Sequence, residues 1–289
     1  FDRLLQFTLP DRNARGRIVR IGPALEDILA AHPYPPALKH LLGEALVLTA
    51  LMGALLKDGG SQLTLQAQAD DGIVSLLVCD YREGELRGYL RHDEKRFAEL
   101  GTSPSLSELF AGGYLAITFD LAATGQRYQG IVPLEGASLT QAVEQYFAQS
   151  EQVPTLIRSS VRGGLGGIIG AGLLIQHLAD GEEGAERLQA RSDHPEWEHV
   201  VALAGSITGE ELVDPDLTLE ALVWRLFYEE REVRVLQGDA IVRGCRCSVV
   251  HFEQILARFS KEDRKDMRDE DGIIRVDCAF CSREFLIED

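Results

Sequence analysis

Cys245-Arg246-Cys247-Ser248 and Cys278-Ala279-Phe280-Cys281 are the two stretches on which the reading of this chain turns. Each puts two thiols on one short turn, and a gap of roughly thirty residues lets the turns face each other. This is the layout of a four-thiolate zinc site, so Cys245, Cys247, Cys278 and Cys281 are the candidate metal ligands. Four protein sulfurs fill a tetrahedral shell and leave no position for water, so hydrolysis there is not expected. His251, four residues after Cys247, could compete as a ligand, although a helix-face histidine is the plainer reading. The single-residue spacer of Cys245-x-Cys247 holds its sulfurs closer than the two-residue spacer of the second pair. Without metal, a sulfenic acid on one thiol would condense with its neighbour. The spacing permits a redox switch, but a purely structural zinc is the reading that the residues alone favour. A permanent disulfide is disfavoured in a reducing compartment.

The surrounding segment, from Val235 to Asp289, is only about 55 residues long and is marginal without a staple. Structural zinc supplies about 10–16 kcal/mol of apparent binding energy in small finger peptides, and that energy is folding energy. Loss of metal should therefore melt the unit. Ahead of it run two apolar stripes at helical spacing. One is Trp197, Val200, Val201, Ala204 and Ile207; the other is Leu219, Leu222, Val223, Leu226 and Phe227, led in by Asp214-Pro215. Ordinary core packing would account for both. A more specific reading is that they cover an apolar surface on the preceding domain and lift off when the zinc unit melts.

Further upstream, Leu4–Leu9 and Ala14–Arg20 suggest strands, and Pro36 to Lys57 reads as a helix apolar almost all round, hence buried. Strand-like runs follow at Ser61–Ala69, Ile73–Asp80 and Leu86–Arg91, with turns at Asp70-Asp71-Gly72 and Arg82-Glu83-Gly84. Tyr114–Asp120 and Gln129–Leu134 form another strand pair around Ala123-Thr124-Gly125, and a helix runs from Leu139 to Phe147. Strands and helices without regular alternation argue for an α+β fold. The glycine-rich stretch Gly163–Gly172 lacks a nucleotide-loop ending and reads as a turn with close backbone approach. Cys79, in an apolar β-prone run, reads as a buried inert thiol.

The 289 residues are 45% apolar, enough for a core, and the length suggests two domains. With 46 acidic and 29 basic residues the net charge is −17, a poor match to nucleic acid or an anionic membrane. Most of the acidic excess lies after residue 180, and Ala179-Asp180-Gly181-Glu182-Glu183-Gly184 reads as the start of a linker. The longest strongly apolar stretch, Ala45–Leu56, is too short to span a membrane. The chain opens at Phe1 without an initiator Met or a secretory signal core, so we expect a few preceding residues and a cytoplasmic address. None of the histidines sits in a nucleophile or metalloprotease motif, and an enzyme is not expected.

Taken in order, these stretches resemble the redox-regulated heat-shock holdases, the 33-kilodalton chaperonin family of bacteria. The likeness is carried by Glu44-Ala45-Leu46 through Leu56-Lys57-Asp58-Gly59, by Leu63-Thr64-Leu65-Gln66, by Arg87-Gly88-Tyr89 and most specifically by Tyr146–Thr155. Trp224–Glu230 then leads into Cys245-Arg246-Cys247-Ser248, and Asp271-Gly272-Ile273-Ile274 precedes Cys278-Ala279-Phe280-Cys281. Glu284-Phe285 and the segment Asp180–Pro195 depart from the family pattern without touching the thiols. The resemblance implies one zinc per chain, bound in the reduced, inactive protein by Cys245, Cys247, Cys278 and Cys281. It implies oxidation to Cys245–Cys247 and Cys278–Cys281 disulfides, with zinc release and linker unfolding. The active form, a homodimer, would hold unfolding client proteins without ATP.

The expected organisation is an N-terminal client-binding and dimerisation domain over 1–179, a metastable helical linker over 180–234 and a zinc-binding switch domain over 235–289. The alternatives are a zinc-stabilised protein-binding adaptor without a switch and a thiol–disulfide oxidoreductase using Cys278-x-x-Cys281. The latter lacks a thioredoxin-like βαβ context.

Overall fold

The computed structural model describes residues 1–164, 167–178 and 193–288. The chain begins with β1 (Arg3–Leu9) and β2 (Ala14–Ile21), then α1 (Pro23–Ala30) and α2 (Pro36–Gly53). A meander follows, β3 (Gln62–Gln68), β4 (Val74–Arg82) and β5 (Glu85–His92). Alternation dictates these strands: in β3 the side chains of Leu63, Leu65 and Ala67 are buried and those between them less so. The β4–β5 turn falls on Glu83 and Gly84, with φ of +50° and +83°, as a two-residue hairpin demands. Short helices α3 (Glu94–Ala98) and α4 (Leu106–Phe110) lead to the hairpin β6 (Tyr114–Leu121) and β7 (Gln126–Pro133), then to α5 (Leu139–Tyr146). β8 (Thr155–Gly164) and β9 (Gly167–His177) close this part.

Three helices follow: α6 (Pro195–Ala204), α7 (Gly209–Val213) and α8 (Leu219–Phe227). The chain then runs through β10 (Arg234–Gln237) and β11 (Val242–Arg243). It ends with α9 (Val249–Leu256), α10 (Lys261–Asp266), β12 (Ile273–Asp277) and β13 (Glu284–Glu288). The expected α+β class is what the strands and helices form. A five-stranded antiparallel sheet has the order β10-β1-β2-β9-β8, and a six-stranded one β11-β5-β4-β3-β6-β7. In the latter only β11 runs parallel to its neighbour.

Helix α2 packs against strands of both sheets, and this explains its apolar circumference. Leu38, Leu42, Leu46, Leu48 and Leu51 are all fully buried in the main core. The glycines of β9 make the close approach possible: a Cβ on Gly172 would sit 2.7 Å from Val47 and 2.8 Å from Leu51. The expected turn at Gly163–Gly172 is strand at Gly163 and Gly164 and from Gly167 onward, and its residues 165 and 166 lie outside the described residues. Helix α2 stops at Gly53, short of the expected Lys57, because the next N–H groups, of Leu55 and Leu56, bond at 3.0 Å to the carbonyls three residues back, Met52 and Gly53, in a tighter turn that ends the α ladder. Cys79 is fully buried on β4. Burial pushes its thiol well above the ordinary range, with the Asp80 charge adding to the effect.

The other face of the five-stranded sheet is also apolar. Leu5, Phe7, Leu9, Ile18, Leu173 and Ile175 form a second core with Trp197, Val200 and Ala204 of α6, Leu212 and Val213 of α7, and Leu222, Val223, Leu226 and Phe227 of α8. Phe7 and Phe227 meet with ring centroids 5.6 Å apart. Both stripes therefore lie on a sheet. Ile207 falls beyond the end of α6, yet the following turn keeps it 5% exposed. The linker start at Ala179–Gly184, and the segment Asp180–Pro195 as far as residue 192, lie outside the described residues.

Arginines of β1, of β2 and of the turn between them tie these helices down. Arg20, 5% exposed, donates from Nε to the carbonyl of Leu212 at 2.8 Å, from Nη2 to that of Glu211 at 3.3 Å, and from Nη1 to that of Leu217. Arg12 bridges Glu196 on α6 and, at 2.8 Å, Glu230 beyond α8. Arg3 reaches Glu220 at 2.7 Å. The Arg20 clamp is buried, so removing it strands carbonyl groups away from water, at about 1–3 kcal/mol for each unsatisfied group. Arg20→Met is expected to make α6–α8 exchange their amide hydrogens at least tenfold faster while β3–β7 keep their protection. Residue-resolved hydrogen exchange checks this.

Candidate metal centre

Cys245 and Cys247 lie between β11 and α9, where the Ser248 hydroxyl caps the helix by accepting the His251 N–H at 3.1 Å. Cys278 and Cys281 lie on the turn between β12 and β13. That turn is closed by backbone bonds: Cys278 N–H to Arg283 O at 2.9 Å, Cys281 N–H to Cys278 O at 3.3 Å and Ser282 N–H to Cys278 O at 2.8 Å. Ser282 takes a left-handed φ of +56° to complete it. A small core of Leu256, Ile274, Phe285 and Ile287 sits behind the turn.

All four sulfurs lie within 4.8 Å of one another. Cys245 Sγ is 3.2 Å from Cys247 Sγ and 3.5 Å from Cys278 Sγ, and Cys247 Sγ is 3.5 Å from Cys281 Sγ. A tetrahedral centre with Zn–S bonds of about 2.3 Å needs sulfur–sulfur edges of roughly 3.8 Å; these three separations fall a few tenths of an ångström short of that, and every pair lies within 4.8 Å. Burial pushes Cys245, Cys247 and Cys278 upward. At Cys245 the neighbouring thiols and the Cys247 N–H outweigh burial and bring it down to about 7. Cys247 is raised by burial and further by the adjoining Cys245 and Cys281 sulfurs, whose charge opposes a second thiolate, and Cys278 is raised as well. One thiolate is stabilised at the expense of the next, so four together require a cation. The donor set therefore fits a metal ion and is compatible with zinc. His251 does not join the cluster; it is exposed, with its ring against Phe252.

The turn carrying Cys278 and Cys281 is docked on the six-stranded sheet. Phe280 stands edge-on to Tyr89 of β5 at 4.9 Å, with the Arg87 guanidinium 4.0 Å from its ring centre. Asp80 aims that guanidinium through bonds of 2.7 and 2.9 Å. His32 meets Phe280 O through Nε2 at 3.3 Å and the Ser282 hydroxyl through Nδ1 at 3.1 Å. Carbonyl oxygen only accepts, so Nε2 carries the proton and Nδ1 accepts from Ser282. Arg246, between the first two thiols, donates to Gln62 at 2.6 Å. Sequence reasoning missed His32, Arg87 and Phe280 as a docking set, because residues so far apart along the chain leave no spacing to read.

The described residues thus combine an α+β core, a docked cluster of four thiols that could hold a metal ion, and an apolar sheet face under separate helices. The sequence profile described as "HSP33: Hsp33 protein" matches residues 2–288. The chain belongs to the Hsp33 family of chaperones. It is 39% identical over 295 residues to the 33 kDa chaperonin of Caulobacter vibrioides, covering 99% of this chain and 95% of that protein. Against the 33 kDa chaperonin of Pseudomonas aeruginosa it is 34% identical over 289 residues, covering 99% and 92%. The solved 33 kDa chaperonin of Thermotoga maritima shares the fold, with a TM-score of 0.80 at 21% identity over 100% of this chain and 95% of that one. Among the described residues no helix is long and apolar enough to cross a membrane.

Losing the Phe280 ring removes a cation–π contact and an aromatic pair, together about 1–3 kcal/mol. Phe280→Ala should therefore loosen the docked turn. The C-terminal unit is expected to become protease-sensitive at lower temperature, while the melting of the main core stays unchanged.

Proposed function

We propose that this chaperone is a redox-regulated, ATP-independent holdase that binds unfolding client proteins under oxidative stress. The observation that supports this most is the packing of α6–α8 over the apolar sheet face, in a chain that continues directly into four clustered thiols. In the reduced, inactive form Cys245, Cys247, Cys278 and Cys281 would hold one Zn²⁺ per chain. When bound, zinc would supply the positive charge that keeps four sulfurs as thiolates and damps their attack on oxidants. Peroxide oxidises one thiol of a pair to sulfenic acid and leaves as water. The neighbouring thiol then forms the S–S bond and expels a second water. The resulting disulfides are Cys245–Cys247 and Cys278–Cys281.

With its sulfurs paired, the C-terminal unit has only its small apolar core to hold it. Its melting would free the linker, and the uncovered face of β1, β2 and β9 would bind non-native protein through exposed apolar area. The working division is 1–179 for client binding and homodimerisation, 180–234 for the linker and 235–289 for the switch. The net charge of −17 helps keep client complexes soluble and disfavours nucleic acid. The proposed setting is the cytoplasm, where thiols are normally reduced, and no chemical turnover of the client is involved.

The test combines metal content with light scattering of a heat-unfolding client, without nucleotide. Reduced protein should carry one zinc and leave aggregation unchanged; peroxide at mild heat should release the zinc and suppress aggregation. Retention of zinc and equal behaviour after peroxide would instead indicate a zinc-stabilised adaptor. Cys278→Ser should lower zinc occupancy sharply, whereas His251→Ala should keep it at one per chain. Val200→Asp, which puts a charge under α6, should suppress aggregation even when reduced; a variant as inactive as the parent would sink the cover role of the linker.

A further inference from the structure

Strand β10 is the outer strand of the five-stranded sheet and is exposed along its length. It pairs antiparallel with β1 from Leu5–Gln237 to Thr8–Arg234. Val235 and Leu236 are 42% and 67% exposed, so the strand buries little side-chain surface. It is held by backbone bonds and by one plug. Gly238 N–H donates to Leu4 O at 3.0 Å, Ile241 N–H donates to Asp2 O at 2.9 Å, and the Ile241 side chain is 1% exposed. Backbone groups alternate in direction along a strand. Those of Leu4, Gln6 and Thr8 therefore face β10, and those of Leu5 and Phe7 face β2. The side chains of Leu5 and Phe7 enter the core shared with α6–α8. One strand thus borders both a covered edge and a covered apolar face.

We infer that β10 is an inhibitory strand, and that the β1 edge beneath it is a strand-accepting site for an extended segment of non-native polypeptide. The inference rests on the redox reading above. β10 lies between α8 and Cys245, so release of the linker and melting of the thiol unit free it at both ends. Four residues of pairing do not hold against two mobile flanks, since an isolated short strand pair is marginal in water. Its departure leaves the N–H groups of Gln6 and Thr8 unpaired on an open edge. That an extended segment fits there follows from β10 itself, which occupies the edge in register. Main-chain bonds to Gln6 and Thr8 are indifferent to client sequence. Apolar residues at the positions of Val235 and Gln237 would lie on the Leu5 and Phe7 face. The opposite edge, β8, is guarded differently: the Glu144 carboxylate accepts the Ile157 N–H at 2.7 Å.

Residue-resolved hydrogen exchange on the full chain tests this in three states: reduced, oxidised, and oxidised with heat-unfolded luciferase bound. The Gln6 and Thr8 amides should exchange at least tenfold faster on oxidation and slow at least threefold when luciferase binds. Those of Leu5 and Phe7, bonded to β2, should change far less. A synthetic peptide of residues 231–240 should displace luciferase, and the same peptide with Leu236→Pro, which lacks the donor facing β1, should not. If oxidised protein holds luciferase while Gln6 and Thr8 stay protected throughout, or stay open beneath the client, the strand-accepting edge is overturned and the holdase reading survives. If oxidised protein holds no luciferase, both are overturned.

Discussion

A sheet with two apolar faces cannot stand in water with only one of them covered, and the five-stranded sheet of this chain has two. Helix α2 takes one face and in doing so joins both large sheets into a single core. The other face is left to α6, α7 and α8, which are 10, 5 and 9 residues long. Helices this short are marginal on their own, because nucleation is costly and few bonds follow it. They persist because Trp197, Val200, Leu222 and Phe227 find the sheet and because Arg20, Arg12 and Arg3 grip them. The cover and the surface it hides therefore stabilise each other.

The thiol centre stands in a different relation to the fold. Its unit has few apolar side chains of its own, and its four sulfurs converge on one point where like charges oppose each other. Four thiolates in so small a space oppose one another, and a cation among them would relieve that opposition. The docking of Phe280 between Arg87 and Tyr89 gives the unit a defined seat on the six-stranded sheet. Helices α6–α8 sit on the other sheet. The two regions are joined by residues 234–244, which pair with β1 on one side and with β5 on the other. That strap is the short covalent connection between the thiols and α6–α8.

Much of the architecture was legible in the chain. Alternation in Leu63-Thr64-Leu65 and the Glu83-Gly84 turn announce a meander because strand faces repeat every two residues. The stripes at Trp197 and Leu222 announce amphipathic helices for the analogous reason, and the paired thiols announce a metal centre because two turns with fixed spacing can satisfy a tetrahedron. Less legible were the ends of elements. Helix α2 stops at Gly53, where the bonds tighten to a three-residue span, and Gly170 and Gly172 sit in strand β9 where α2 comes close.

The sequence by itself determined the class of the fold, the four thiols and the helices that need a surface to cover, since each depends on local period or spacing. Only the tertiary structure decided which surface they cover, that Arg20 and Arg12 hold them there, and that β10 closes the β1 edge. It also placed Phe280 on Arg87 and kept His251 away from the sulfurs. Those pairings join residues far apart in the chain. Their energies come from shape, desolvation and backbone bonds that exist only once the core has formed, so no local pattern encodes them.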